Sequence, residues 1–552
     1  MANFTDKTPV KRLLEIVQLE RQDITLLIIL TFGYGLLGIA TPVAVQTLVN
    51  IVTMGGVLQP LYVVALILFF LLVLSGVLYL FEAYVVELIQ RRLFVRTALQ
   101  VGKQAQGVQL QLYDSANPVE LMNRFFDVPT LQKSAATLLT VGLTALLQGL
   151  VGSVILMFYS LYFMVIVFMV IVMFALIVFV LGKHAIPTAI AESKAKYETV
   201  AWLETIARNA YLFKFFNARH RVSKKTDAHA HAYLETRFSH FKVLLLQNIG
   251  GVALYAFVGT AMLVLGGALV IQGQINLGQF VAAELIIFGV LAAFVRFISK
   301  LESYYDMLAA LDKIGVLQDL PQESIGTHIP SHGHYLQMVV QALDFAYSPR
   351  IAPIQALSFS VGKGQSLAVL GASGAGKTTL IGLLTGLRSP NRGHVSVDGI
   401  DLRQLNLEHY RNRVGLVTKA EFIEGTILDN LRLERADISL DKIHQVLDAL
   451  GLEDDIAKLE HGLDTPLTAF GAPLSTTQAQ RMMLARAIIG EPDIMMIDGL
   501  LDTLNRQELA AVLALLKQNA SAWMLIVTTR LPEIAQQFQS VITLGPNAED
   551  NV

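Results

Sequence analysis

Gly371-Ala-Ser-Gly374-Ala-Gly376-Lys377-Thr378-Thr379 is a glycine-rich turn set between an apolar run, Ser366-Leu-Ala-Val-Leu370, and the apolar Leu380-Ile-Gly-Leu-Leu384. The run reads as a short buried strand and the following segment as the start of a helix. Strand, turn and helix in that order give the G-x-x-x-x-G-K-[ST] spacing its physical meaning as a phosphate loop. Bare glycine backbone lets successive N–H groups converge on phosphate oxygens, and the helix N-terminus adds partial positive charge. Gly371, Ser373, Gly374, Gly376, Lys377, Thr378 and Thr379 are therefore the candidate nucleotide-binding residues. Lys377 is expected to reach the β- and γ-phosphates and Thr378 to ligate Mg²⁺. ATP and Mg²⁺ are the expected ligands.

Outward from that loop the composition is lopsided. The 552 residues are 54% hydrophobic and only 16% charged, with mean hydropathy +0.54, which is too apolar for a water-soluble enzyme of this length. A net charge of −2 gives no reason to expect a nucleic-acid partner, and the absence of cysteine excludes disulfides, thiolate metal sites and a cysteine nucleophile. Residues 1–19 lack the apolar core and small-residue cleavage site of a secretory signal. The apolar excess is expected in permanent membrane spans.

Six apolar segments, near 23–52, 57–86, 137–158, 161–182, 243–271 and 276–298, are each long enough to cross a bilayer. The third and fourth are separated by so few residues that they form a tight hairpin. The connections Thr53–Gln59, Phe158–Ser160 and Gln272–Gly278 carry no charge, whereas the opposite side carries Arg91, Arg92, Arg96, Lys103, Lys183 and many more basic residues. The positive-inside rule makes that side, and both termini, cytoplasmic. Residues 1–21, amphipathic from Lys11 onward, read either as an interfacial elbow helix or as a plain soluble first helix. Spans are expected over 22–320 and a linker over 321–335. The linker histidines His328, His332 and His334, like His229 and His231, have no carboxylate or thiol framework and read as solvated. Glu284 lies inside the last apolar segment, where a carboxylate is costly. It reads equally as a substrate-path residue or as a structurally paired one. With Gln148, Gln247, Asn248 and Tyr255 it is expected to line a cavity.

Six spans, long polar inner connections and a phosphate-loop domain over 336–552 together resemble an ABC exporter half-transporter. The expected fold is thus a membrane α-helical bundle of six spans followed by an α/β P-loop ABC ATPase domain. Asn123-Arg-Phe-Phe-Asp-Val128 is similar to a segment of bacterial secretion exporters of the haemolysin and peptide-exporting type. With fewer than two dozen residues ahead of the first span, leader-peptide processing is not expected. The resemblance makes Tyr347 the aromatic that stacks on adenine. It makes Asp498, at the end of Ile494-Met-Met-Ile-Asp498, the Walker B carboxylate on Mg²⁺. Arg481-Met-Met-Leu-Ala-Arg-Ala487 is similar to the helix after the ABC signature.

The departures from the family pattern are as informative. Gly499 stands where the family places its catalytic glutamate, Thr529 at the switch histidine, Lys419 at the magnesium-sensing glutamine and Asn505 at the last D-loop aspartate. A positioned base contributes about 10²–10⁴-fold, so hydrolysis is expected to be slow. The signature reads Leu474-Ser475-Thr476-Thr477-Gln478, keeping Ser475 and Gln478 but replacing both glycines. Two β-branched residues are expected to crowd the approach to the γ-phosphate and to resist glycine-type φ values. The resemblance implies a bacterial inner-membrane exporter subunit. It would pair with a second half-transporter, as homodimer or heterodimer, and possess a periplasmic adaptor in the manner of secretion exporters. The alternative is a catalytically silent ABC-fold regulator or assembly scaffold gated by nucleotide.

Overall fold

The structure is a computed structural model that describes residues 7–53, 58–115, 117–215, 219–324, 326–329, 334–348, 353–435 and 437–545. The chain divides into two compact units, Met1–Val108 with Tyr113–Pro321, and Gln109–Leu112 with Gln322–Val552.

The first unit is helical. Helix Pro9–Leu19 opens it, capped by Thr8 with Pro9 in its first turn, a position where the missing N–H costs nothing. Among the described residues six stretches are long and apolar enough to cross a membrane: Arg21–Thr53, Leu58–Gln106, Pro118–Tyr159, Leu161–Leu181, Arg219–Ile271 and Leu277–Gln318. These coincide with the six apolar segments of the sequence. The second and fifth are uninterrupted helices of 49 and 53 residues. At 1.5 Å per residue they run roughly 75–80 Å, against about 30 Å of hydrocarbon, so both continue well beyond a bilayer. Third and fourth are joined at Ser160 alone, whose extended backbone turns the chain while its side chain caps the next helix at Tyr162 N–H. The sixth stretch is two helices, Leu277–Ser299 and Leu301–Gln318, meeting at Lys300.

Small residues let these helices approach closely. A Cβ added to Gly152 would stand 2.6 Å from Val290, and one added to Gly149 would stand 2.8 Å from Phe294. The bundle core gathers Phe163, Leu254, Met262, Ile287 and Leu291, all fully buried.

The second unit holds a five-stranded parallel sheet made of β1 (Ser366–Gly371), β2 (Val414–Val417), β3 (Ile494–Asp498), β4 (Met524–Thr529) and β5 (Ser540–Leu544). Their order in the sheet is β5-β1-β4-β3-β2. β3 and β4 are buried along nearly their whole length, which is why they read as unbroken apolar runs. A separate antiparallel sheet is built on Gln337–Phe345, flanked by Ile354–Gly362 and Arg392–Val397. Parallel pairing aligns the C-terminal ends of β1, β3 and β4. Leu370 lies opposite Thr529, and Asp498 opposite Thr528. In open α/β sheets that edge is where ligands bind.

Candidate functional site

The phosphate loop leaves β1 at Gly371 and enters helix Lys377–Leu384 through Gly376. Gly376 has φ +97° and its missing Cβ would stand 2.7 Å from Pro353 Cβ, so no other residue fits there without displacement. Gly374 has φ +83° and faces open space, with no heavy atom within 4 Å of where a Cβ would be. Lys377 Nζ donates to the carbonyls of Gly371 and Ala372, at 2.7 and 2.8 Å. The ammonium is thereby held over the loop. Ser373 is exposed at the loop's crown, and Thr379, the third residue of the helix, is buried.

Thr378 Oγ1 donates to Asp498 Oδ2 at 2.6 Å, joining the loop to the end of β3. Thr528 Oγ1, from β4, donates to the other carboxylate oxygen at 2.6 Å. A carboxylate held by two hydroxyls beside a glycine-rich turn and an ammonium is an oxygen-donor set that fits Mg²⁺ and a triphosphate. Thr378 and Asp498 would hold the ion, whose role there is to neutralise phosphate charge. The sequence did not single out Thr528. Its signal lay in the parallel register, since a polar residue ending β4 must face the carboxylate that ends β3.

Tyr347 shares a 2.9 Å hydrogen bond with Thr379 Oγ1, and the Arg388 guanidinium stands 5.1 Å from its ring centre. The ring remains 47% exposed. The aromatic is thus tied to the phosphate-loop helix.

Gly499 follows Asp498 with φ +66° and ψ 0°, its N–H donating to the Thr528 hydroxyl at 3.0 Å. A side chain there would find open space but a left-handed backbone. Thr529 is fully buried. Its hydroxyl donates to Asp502 and accepts from Leu531 N–H, so it is consumed within its own loop and directs nothing at a ligand. Asp502, which the sequence reading passed over, also accepts from Arg530 N–H at 3.0 Å. Lys419 is exposed and pairs with Glu421 at 3.1 Å. Asn505 caps helix Arg506–Gln518 in a reciprocal box with Glu508.

The signature departs from expectation in one respect. Ser475 is the N-cap of helix Thr476–Ile489, and Gln478 returns the bond to the Ser475 N–H at 2.8 Å. Thr476 and Thr477 occupy the first helical turn and are absent from the residues with positive φ. Negative φ suits any residue, so the expected backbone strain does not arise; only the added side-chain bulk remains. Ser475 and Gln478 bond each other and make no hydrogen bond to the phosphate loop among the described residues. Further along the same helix, burial and the nearby Arg435 hold the Arg486 guanidinium below its usual pKa.

In the membrane unit Glu284 is half-buried, with no hydrogen bond or ion pair among the described residues. Gln247 is fully buried and donates to the Tyr305 hydroxyl at 2.9 Å, so it is a packing residue and not the cavity-lining one expected. The sequence reading missed Glu82, a buried carboxylate that accepts from Thr144 at 2.9 Å while its Oε2 finds no partner among the described residues. His334 is likewise not merely solvated, since it bonds the buried Asp493 at 2.7 Å. His332 lies outside the described residues.

A phosphate loop on a parallel sheet, in a chain with six membrane-crossing stretches, defines a multi-pass membrane protein with a P-loop domain. Residues 354–501 match the ABC transporter family and residues 24–294 the ABC transporter transmembrane region, together about three quarters of the chain. The chain belongs to the ABC transporters, with an exporter-type transmembrane region fused to the ATP-binding domain. It is 26% identical to an uncharacterized ABC transporter ATP-binding protein of Bacillus subtilis, over 57% of this chain and 56% of that one. It is 28% identical to the alpha-hemolysin translocation ATP-binding protein of Escherichia coli, over 47% of this chain and 37% of that one. A multidrug efflux ATP-binding/permease protein of Mycobacterium tuberculosis is 29% identical over 54% of this chain and 25% of its own length. The matches thus span between a quarter and about half of these relatives. A bacterial Atm1-family ABC exporter solved with ATP bound has the same fold, with TM-score 0.85 and 18% identity, covering 95% of this chain and 94% of that one.

Proposed function

We propose that this chain is one half of a bacterial inner-membrane ABC exporter, with both termini in the cytoplasm. In this reading binding of ATP with Mg²⁺, more than its hydrolysis, drives substrate out of the cytoplasm. Tyr347, the loop residues Gly371 to Thr379, and Asp498 would hold the nucleotide. A second half-transporter, whose Ser475 and Gln478 equivalents face this loop, would complete the site. The elbow, span, linker and nucleotide-binding segments would fall at 1–21, 22–320, 321–335 and 336–552. The observation that carries the reading is the contrast around Asp498: its carboxylate is held by Thr378 and Thr528, yet the next residue is a side-chain-free glycine in a left-handed turn. Groups suited to holding a metal ion thus precede a residue with no side chain that could activate water.

A nucleotide-gated regulator or scaffold is the second reading, favoured by the commitment of Lys419 to Glu421 and of Thr529 to Asp502. Transport into sealed vesicles by wild type and Lys377→Ala separates the two. Loss of nucleotide binding together with loss of transport supports the exporter; vesicles that never transport, with ATP still bound, support the regulator.

A further inference from the structure

Arg296 is the single lysine or arginine inside the six apolar segments of the sequence. Its guanidinium is exposed and donates to Gln148 Oε1 at 3.3 Å. Gln148 precedes Tyr159, the last residue of its helix, by eleven positions. It therefore lies about 17 Å from the uncharged turn at Ser160, roughly half of a 30 Å hydrocarbon layer. Beside it the first stretch breaks, one helix ending at Leu37 and the next beginning at Ala40. A Cβ on Gly38 would stand 4.0 Å from Gln148 Nε2, and Pro42 has no N–H to return to the Gly38 carbonyl. Irregular backbone at membrane depth is tolerated where protein buries it or where it lines water, and Gly38 is exposed.

The guanidinium has no acidic partner: Arg296 forms no ion pair among the described residues. Glu82 is 1% exposed and takes its hydrogen bond from Thr144. Glu284 lies twelve residues back on the same helix, about 18 Å along its axis. Most of helix Leu277–Ser299 is packed, with Val290 close against Gly152, Phe294 against Gly149 and Ile298 against Gly251. Leu285, Gly289, Ala292 and Arg296, at i, i+4, i+7 and i+11, make up the face left open. A Cβ on Gly289 would meet nothing within 4 Å. An unpaired arginine at this depth is too costly against hydrocarbon, and arginines so placed face water. The open face is thus a wet wall, apolar along most of its length and cationic at one end.

We propose that this face contacts the transported solute, and that Arg296, steadied by Gln148, takes an anionic group, carboxylate or phosphate, on an otherwise apolar molecule. The apolar part lies along Leu285, Gly289 and Ala292. With one N–H engaged by Gln148, the rest of the guanidinium fork is free to bind two oxygens of one anion side by side. The inference rests on the exporter reading and adds to it the class of cargo.

The chain contains no cysteine, so one can be introduced as a reporter. Ala292→Cys, one helical turn from Arg296, and Gly289→Cys, in open space, are made in the full chain and placed in nanodiscs. Each is reacted with an anionic methanethiosulfonate (ethylsulfonate) and a cationic one (ethyltrimethylammonium), and every rate is scaled by that of a free thiol. The anion is expected to react severalfold faster than the cation, and Arg296→Gln to remove the preference. Leu66→Cys, 59% exposed on the second stretch, is expected to react with neither. Equal scaled rates, or no reaction at both reporters, overturn the anion site. That comparison needs no change at Arg296, so it stands should Arg296→Gln not fold. Decanoate, decyl phosphate and decyltrimethylammonium, each below its micellar concentration, are then tested as protectants of Ala292→Cys. Protection by one anion names carboxylate or phosphate, and protection by both supports the shared charge. Protection by the cation as strong as by the anions, or by none of the three, overturns the cargo assignment. These readouts involve no transport, whereas the exporter reading fails in sealed vesicles that never transport, so the two failures are told apart.

Discussion

Gly499→Glu puts a carboxylate where the family keeps its base, and the structure sets what that change gains and costs. No heavy atom lies within 4 Å of the Cβ position, so the side chain enters without a clash. The backbone there has φ +66°, which costs a non-glycine residue about 1–2 kcal/mol. A positioned base is worth about 10²–10⁴-fold in rate. If the whole backbone cost fell on the reactive state it would take back about 5–30-fold, leaving a net gain of about 3-fold to about 2,000-fold. Gly499→Gln is the control, because it carries the same backbone cost and no base. Phosphate release at saturating Mg·ATP is the assay for wild type and both variants, with thermal unfolding alongside. Both variants should lose about 1–2 kcal/mol of stability, and the glutamate variant alone should hydrolyse faster than wild type. A glutamate variant no faster than the glutamine one would refute the claim that the missing base limits turnover. Wild type turning over ATP at tens per second without a partner would refute it as well.

Gly376→Ala should weaken binding of a fluorescent ATP analogue by about tenfold or more in titration, since the added methyl meets Pro353 on a left-handed backbone. Thr528→Val removes a donor from Asp498 and one of two acceptors of the Gly499 N–H, the Thr528 carbonyl remaining; a loss of about 1–3 kcal/mol is expected in denaturant unfolding, with weaker Mg²⁺-dependence of nucleotide binding. Glu82→Gln keeps an acceptor for Thr144 and should cost less than about 1 kcal/mol in detergent-solubilised melts. Glu82→Leu strands that hydroxyl and should cost more; the reverse order would contradict the arrangement.

What the sequence made legible was local or periodic. The phosphate loop is read from nine consecutive residues, and the spans from runs of apolar residues, because neither depends on distant neighbours. Asp498 is linked to Thr378 in the sequence only through the family resemblance; the two meet across 120 positions because β3 and β1 end at the same sheet edge. Thr528 and Asp502 escaped notice because their partners are set by parallel register and by a loop folded back on β4, which no spacing in the chain records. Glu82 was hidden by averaging, being one carboxylate in a strongly apolar run. The family pattern's two glycines suggest positive φ, whereas Thr476 and Thr477 sit in a first helical turn, which accommodates any L residue.

The fifth and sixth membrane-crossing stretches differ mechanically. Arg219–Ile271 is helical without a break over 53 residues, so no interruption of its ladder offers a place for a sharp bend. Leu277–Gln318 is interrupted at Lys300, where φ −102° and ψ 2° depart from helical values and the ladder restarts. Bending is absorbed there first. The packed run around Ile287 and Leu291 and the Leu301–Gln318 arm are thus separate helical segments, so the sixth stretch is jointed where the second and fifth are continuous.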